Sequence, residues 1–357
     1  MNPSPAAAAR NRKAIAIWLL VLCGMVFVTL IIGGITRLTH SGLSMVEWRP
    51  VTGWLPPLSE AAWQDAFAKY REFPEYRSFN TGMTLAEFKE IFWLEFVHRL
   101  WGRLIGLVFL VPFLLFVWRK MVDVRLVTKL LIAFILGGLQ GVLGWYMVQS
   151  GLVDRPDVSQ YRLTAHLGAA LVIYAYLLWL ALALLFPEAP KTAPPRSLGF
   201  AAGVLALACL TILSGGFVAG LDAGFAYNTF PLMDGQFVPE GTFEMDPWYR
   251  SLFEDIATVQ FDHRCLAMAT LLAVVVFWFW LQNLDLAPRA RLAANGLLTI
   301  ALIQVMLGIA TLMFVVPVPL AALHQAGAVG VFSFALWMVF ELGRGHSVGS
   351  AAKAPTA

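Results

Sequence analysis

Four histidines at matched places in an apolar chain are the first candidates for chemistry. Of six histidines in the sequence, these four each stand near the first residues of a long apolar segment: His98, His166, His263 and His324. Ionisable groups in such segments are expensive and usually functional. Paired imidazoles across a helical bundle commonly hold haem iron, whereas zinc prefers three or four ligands. The pattern therefore predicts two bis-histidine sites of the haem type.

Arginines accompany these histidines. Arg99 and Arg264 directly follow His98 and His263, and Arg103 lies one turn beyond Arg99. A guanidinium group suits the anionic propionates of haem and also suits structural pairing. Snorkelling towards lipid headgroups is the rival interpretation.

A single acid distinguishes the two histidine–arginine motifs. Glu95 precedes His98 by three residues and shares its helix face, whereas Gln260 stands before His263. An electron-transfer haem needs no neighbouring acid, but a proton-coupled oxidation does. We therefore predict a reaction site with Glu95 in the N-terminal half and a cofactor site in the C-terminal half. In the alternative interpretation, Glu95 orients an arginine or caps a turn.

The composition places these residues in a membrane. Of the 357 residues 59% are hydrophobic and only 13% are charged, against roughly a quarter charged in ordinary soluble domains. The formal net charge of +3 does not indicate a nucleic-acid partner. Eight apolar segments are long enough to cross a bilayer as helices: 14–35, 93–118, 127–149, 162–186, 198–219, 260–283, 292–316 and 320–342.

Loop charge predicts how these segments cross the membrane. Positive loops alternate along the chain, and the loop at 220–259 is strongly acidic. Because positive loops stay in the cytoplasm, both termini are expected there. The four histidines are then expected at similar depth near the outer face.

The chain also repeats itself, with Gly33, Gly34 and Gly42 matching Gly215, Gly216 and Gly224 at an offset of 182 residues. The paired histidines follow at offsets of 165 and 158, and Gln140 and Gln304 at 164. An internal repeat indicates duplication of one unit. We predict an all-α integral membrane protein with eight transmembrane helices as two pseudo-symmetric four-helix bundles. The expected parts are an N-terminal half at 1–186, a cytoplasmic linker at 187–197, a C-terminal half at 198–342 and a polar tail at 343–357.

The first outer loop carries signals of order. It contains Trp48, Trp54 and Trp63, and Thr84 and Glu87 have the spacing of a capping box. We expect a helix that runs from this box into the second span, beneath a partly helical lid. An aromatic belt at the membrane interface is the alternative reading of the tryptophans.

Glycines near the histidines fit either of two roles. They would let a flat macrocycle approach the backbone, or they would serve plain helix packing. The residues concerned are Gly102, Gly106, Gly168 and Gly327.

The sequence resembles the heme A synthase family of membrane enzymes, in its proteobacterial and mitochondrial branch. The resemblance covers nearly the whole chain. It rests on the repeat and on four motifs: EFVHRLWGR at 95–103, TAHLGAAL at 164–171, FDHR at 261–264 and LHQAGA at 323–328.

This resemblance implies that the substrate is haem O, with a ring methyl oxidised in steps to the formyl group of haem A for aa3-type cytochrome oxidases. The haem O ligands would be His98 and His166, and a haem b cofactor would be held by His263 and His324. Glu95 matches the family's essential glutamate, which either stabilises a cationic intermediate or moves protons. The implied location is the bacterial inner membrane.

Two other classes compete with this reading. A cytochrome b-like electron carrier or quinol oxidoreductase would hold two permanent bis-histidine haems and would not need Glu95 beside one pair. A haem transporter would bind without chemistry. Candidate partners are haem O synthase and an electron-transfer protein, and glycine-rich helix surfaces leave a homo-oligomer open.

Overall fold

The computed structural model describes residues 4–49, 52–152, 157–188 and 194–351, and these residues are predominantly helical. Helices fall into eleven α-segments along the described ranges, with short turns between them. In chain order they are α1 (Pro5–Leu38), α2 (Glu60–Tyr70), α3 (Pro74–Phe79), α4 (Leu85–Trp118), α5 (Val124–Gln149), α6 (Gln160–Leu185), α7 (Pro195–Gly220), α8 (Ser251–Glu254), α9 (Ile256–Gln282), α10 (Pro288–Met313) and α11 (Val318–Ala351). Within those ranges no β-strand forms, and one isolated bridge joins Met233 and Gln236.

Eight of these helices are long and apolar enough to cross a membrane. They are α1, α4, α5, α6, α7, α9, α10 and α11, and each overlaps one of the eight predicted spans. Large apolar side chains such as Leu272, Phe279 and Met306 stay exposed on their surfaces. In a bilayer these side chains face lipid, so the predicted all-α membrane architecture is confirmed.

The second span begins earlier than its apolar run because its capping box forms. Thr84 accepts a hydrogen bond from the backbone N–H of Glu87, and the Glu87 carboxylate accepts from the backbone N–H of Thr84. These bonds satisfy donors that a helix start otherwise leaves unpaired. Helix α4 therefore runs unbroken from the outer loop into the membrane, as the capping box predicted.

The first outer loop packs as a small aromatic core, which we call the loop cluster: Trp63, Phe67, Tyr70, Phe88, Phe92 and Phe96. Its residues come from α2 and from the first turns of α4. Ser59 caps α2 by accepting from the N–H of Ala62 at 3.2 Å. Helix α2 is therefore fixed against α4 by buried aromatic surface.

The helices form two compact units. The N-terminal unit comprises residues 21–174, and the C-terminal unit comprises residues 1–20 with 175–357. The core of the C-terminal unit is rich in alanine where its helices meet, with Ala201, Ala293 and Ala335 buried around Phe277. Small residues allow the helix backbones to approach closely, which is how membrane helices gain packing energy.

Parts of the predicted domain organisation lie outside the described residues. These parts are positions 189–193 of the predicted linker and positions 352–357 of the predicted tail. The division of the chain at this linker remains a prediction.

Candidate haem-binding sites

The C-terminal histidine pair meets across its own unit. His263 lies on α9 and His324 on α11, with ring centroids 6.4 Å apart and ring planes at 88°. An iron that bonds two imidazole nitrogens at about 2 Å each, with about 1 Å more to each ring centre, separates the centroids by about 6 Å. The observed spacing therefore fits an iron bound between the two rings.

Each of these imidazoles rests against a glycine on a neighbouring helix. A Cβ atom on Gly215 would lie 3.1 Å from Cε1 of His263, and one on Gly308 would lie 2.8 Å from Cε1 of His324. Carbon contacts this short are repulsive in a packed interior. Glycine on α7 and α10 therefore makes room for the rings.

The N-terminal pair is built the same way. His98 lies on α4 and His166 on α6. A Cβ on Gly33 of α1 would lie 3.2 Å from Cε1 of His98, and one on Gly144 of α5 would lie 2.9 Å from Cε1 of His166. The repeat seen in the sequence is therefore repeated in the contacts.

These glycines are not the ones singled out beside the histidines. A Cβ atom added to Gly102 or Gly106 would meet no atom within 4 Å, so these two face open space, and Gly327 lies against the side chain of Gln304. Since a contact between helices depends on which helices are neighbours, spacing along one helix could not find it. The available signal was the recurrence of Gly33 as Gly215 within the internal repeat.

Arg99 connects α4 to the loop that follows α1. Its guanidinium donates to the backbone oxygen of Met45 at 2.8 Å and to that of Glu47 at 3.2 Å. It also pairs with the Glu95 carboxylate one turn earlier on α4. Arg99 therefore has the structural pairing that the sequence suggested as one of its two roles.

Arg264 makes the same contacts in the C-terminal unit. Its guanidinium donates to the backbone oxygens of Tyr227 and Thr229, each at 2.8 Å, and to Oε1 of Gln260 at 2.9 Å. Tyr227 and Thr229 stand 182 residues after the two Arg99 acceptors, which is the offset of the repeated glycines. The duplicated arginine therefore fixes the same loop in each unit.

Arg103 reaches a different part of the first loop. Its Nη2 atom donates to the backbone oxygen of Arg49 at 2.8 Å and lies close to Gly53. It therefore joins the loop to α4 one turn beyond Arg99.

Glu95 is buried and held on both carboxylate oxygens. Its side chain is 3% exposed. Oε2 accepts from the hydroxyl of Ser44 and from the backbone N–H of Met45, each at 2.7 Å, while Oε1 accepts from Arg99. In every one of these contacts the carboxylate is the acceptor, which is what an ionised carboxylate provides. The site therefore contains a fixed anion.

Gln260 replaces this anion with a neutral group in the C-terminal unit. It keeps the contact to Arg264 through Oε1, and its Nε2 donates to the backbone oxygen of Ala223 at 2.7 Å. The two units therefore keep one scaffold and differ in charge at this position.

In the described part of the chain, no group of three or more histidine, cysteine, aspartate or glutamate side chains could hold a metal ion. The histidine pairs remain, and a pair of imidazoles is one of the ligand sets that could hold haem iron. The fold and these sites define a polytopic membrane protein with a matched histidine pair in each unit.

Comparison with known proteins places the chain within this class. The family model described as cytochrome oxidase assembly protein, COX15-CtaA, matches residues 16–336. The heme A synthase of Nitrosospira multiformis is 53% identical over 336 residues, covering 93% of this chain and 94% of that protein. Heme A synthase COX15 of Bos taurus is 47% identical over 352 residues, covering 96% of this chain and 84% of that protein.

The chain therefore belongs to the heme A synthase family, as the sequence motifs indicated. Its matches include bacterial and mammalian members. The alternative of a cytochrome b-like electron carrier is not favoured by these relatives.

Proposed function

We propose that the protein is a membrane oxidoreductase that oxidises a ring methyl of haem O to a formyl group, giving haem A for aa3-type cytochrome oxidases. The relatives named heme A synthase support this reaction. Within the chain, the observation that carries it is a buried anion, Glu95, in one unit at the repeat position where the other unit has the neutral Gln260. A carrier with two equivalent haems gives no reason for this difference.

The two units are assigned different occupants. His98 and His166 would bind the iron of the substrate haem O, because Glu95 lies on the same helix as His98. His263 and His324 would hold a haem b cofactor, whose bound iron would supply one-electron transfer. The 6.4 Å spacing of the latter rings supports this assignment.

Glu95 is the proposed catalytic group. The sequence left open whether it stabilises positive charge or moves protons. Hydrogen bonds from Ser44 and Met45 and the ion pair with Arg99 hold the carboxylate in place. A held anion favours stabilisation of positive charge that develops on the substrate, because it needs no rearrangement as the charge forms.

The arginines remain candidates for the haem propionates. In Arg264 the Nε atom is buried and has no hydrogen-bond partner among the described residues. This N–H is available to an anionic oxygen after the guanidinium has bound the loop. We assign Arg99 and Arg103 the equivalent role in the N-terminal unit.

The proposed location is the bacterial inner membrane, with both termini cytoplasmic and the haem sites near the outer face. His166, His263 and His324 lie near the start of α6, α9 and α11. His98 lies further into α4 because that helix begins in the outer loop. This common placement supports similar depth. Haem O synthase and an electron-transfer protein are the proposed partners.

The test is a chromatographic profile of haems extracted from cells that make haem O, with and without the protein. We expect a formyl-bearing haem, with a hydroxymethyl precursor, only when the protein is present. The control is His98→Ala, which should accumulate haem O. If haem O is unchanged in cells that contain the haem-loaded parental protein, the proposed reaction is wrong.

A further inference from the structure

The two histidine pairs differ in the side chains that surround their Nδ1 atoms. In the C-terminal unit, the Ser214 hydroxyl lies 2.8 Å from Nδ1 of His263. The side-chain amide of Gln304 lies 3.0 Å from Nδ1 of His324. Both imidazoles are therefore held by a second side chain.

The hydrogen bonds of Ser214 favour one tautomer of His263. A serine hydroxyl has a single hydrogen, and the Ser214 hydroxyl donates to the backbone oxygen of Thr211 at 2.8 Å. This donation favours the tautomer in which Nδ1 of His263 carries the proton and the Ser214 oxygen accepts from it. The Nε2 atom is left with a lone pair for a metal.

Gln304 provides the same arrangement for His324. Its Oε1 atom is buried without a hydrogen-bond partner among the described residues. A half-turn of the amide exchanges its oxygen and nitrogen, which brings Oε1 to Nδ1 of His324 as an acceptor. Nε2 of His324 is then free for the metal in the same way.

The N-terminal unit lacks both of these contacts. Ile32 stands 182 residues before Ser214, next to Gly33, and has no hydrogen-bonding group in its side chain. Gln140, the counterpart of Gln304, donates instead to the backbone oxygen of His166 at 2.8 Å. Nδ1 of His166 is buried and has no partner within the described ranges. Its ring therefore lacks the side-chain contact at Nδ1 that His324 has.

We propose that Ser214 and Gln304 are positioning residues that retain the resident haem, and that their absence in the N-terminal unit lets haem O enter and its product leave. A second-sphere acceptor fixes the ring and raises ligand basicity, and its loss costs about 10- to 100-fold in metal affinity. A permanent cofactor requires this retention, whereas a substrate site must release its product. This inference rests on the proposed function of the two units.

The test uses the purified full-length protein, loaded with haem, and an excess of a haem-accepting apoprotein. For Ser214→Ala we expect haem B to dissociate about 10- to 100-fold faster than from the parent. Its midpoint potential should shift to a more positive value, because a less basic ligand stabilises ferric iron less. Ser214→Thr keeps the hydroxyl and should restore both quantities.

A reciprocal variant covers the case in which Ser214→Ala does not fold. Ile32→Ser places a hydroxyl beside His98 and should slow release of the N-terminal haem, whereas Ile31→Ser, one position away on α1, should not. The inference is overturned if Ser214→Ala, fully loaded, keeps the parental dissociation rate and potential. It is equally overturned if Ile32→Ser and Ile31→Ser release haem at the same rate.

Failure of the proposed function would look different. In that case the parental protein would leave haem O unoxidised, whatever the release rates of these variants. If the parent makes haem A and Ser214→Ala holds haem B normally, only the positioning role is wrong.

Discussion

Glu95 and Arg99 form a buried ion pair one turn apart on α4, and the same arginine holds the loop that supplies two hydrogen bonds to the carboxylate. The Glu95 carboxylate and its surroundings are therefore one connected network. Removing the carboxylate or Arg99 changes the charge on the helix that carries His98.

We predict that Glu95→Gln binds haem O but forms haem A at least about 100-fold more slowly, since one fixed charge at a reacting centre contributes this much. Glutamine occupies the equivalent position in the C-terminal unit, so the fold tolerates it there. Conversion of haem O measured in membranes checks the prediction.

The control for this variant is Ser44→Ala, which removes one hydrogen bond and leaves the charge. It should retain most of the activity. Haem A formation at the parental rate in Glu95→Gln would rule out the catalytic role.

Gly144→Ala should abolish tight binding of haem O, because the new Cβ would lie 2.9 Å from Cε1 of His166 and displace the ring. The matched control on the same helix is Gly141→Ala, whose Cβ would meet no atom within 4 Å. Alanine there should also favour the helix by about 1 kcal/mol. A haem O titration followed by absorbance would show the difference, and equal affinities of the two variants would contradict this packing.

Arg264→Lys should loosen the loop at 227–229, because lysine cannot span the two carbonyl oxygens that the guanidinium joins. We expect a loss of about 1.5–3 kcal/mol in stability, the usual range for hydrogen bonds to a charged group. Limited proteolysis and thermal unfolding would measure this loss.

Arg99→Lys should loosen the first outer loop at Met45 and Glu47 in the same way and should also lower activity. Unchanged cleavage in both loops would refute the anchoring role.

Glu75, on α3 outside the membrane helices, should make stability depend on pH. Burial raises the pKa of its carboxyl from 4.5 to about 8, although the Tyr70 hydroxyl bonded to it opposes this shift. The nearby carboxylates of Glu95 and Asp157 raise this pKa further, and Arg37 lowers it.

The sign of this dependence follows from proton uptake. Between pH 4.5 and about 8 the folded protein binds more protons at Glu75 than the unfolded chain does. The free energy of unfolding therefore falls as pH rises through this window. Glu75→Gln should flatten the fall in melting temperature, whereas Glu72→Gln, at an exposed neighbour, should not. If the melting temperature of Glu75→Gln fell with pH as steeply as that of the parent, Glu75 would not be the source of the pH dependence.

The spans and the capping box at Thr84 were predictable because they depend on local patterns. The length of an apolar segment indicates whether a helix can cross the membrane. The spacing of Thr84 and Glu87 indicates where a helix begins. The structure confirms the eight spans and this helix start.

Contacts between helices were not predictable in the same way. The support of His166 by Gly144 and of His263 by Ser214 depends on which helices are neighbours and how they are rotated. The sequence did contain one signal for the second contact. The repeat aligns Ser214 with Ile32, so the two halves differ in polarity at this position. The loop carbonyls bound by Arg264 have no side-chain signature, so only the structure shows them.

The assignment of two different occupants is tested most directly by the haems bound to two double variants purified from cells that make haem O. We predict that His98→Ala with His166→Ala retains haem B and contains neither haem O nor haem A. The converse pair, His263→Ala with His324→Ala, should lack haem B. Loss of haem B from the first variant together with its retention in the second would contradict the account, as would identical haem contents in both.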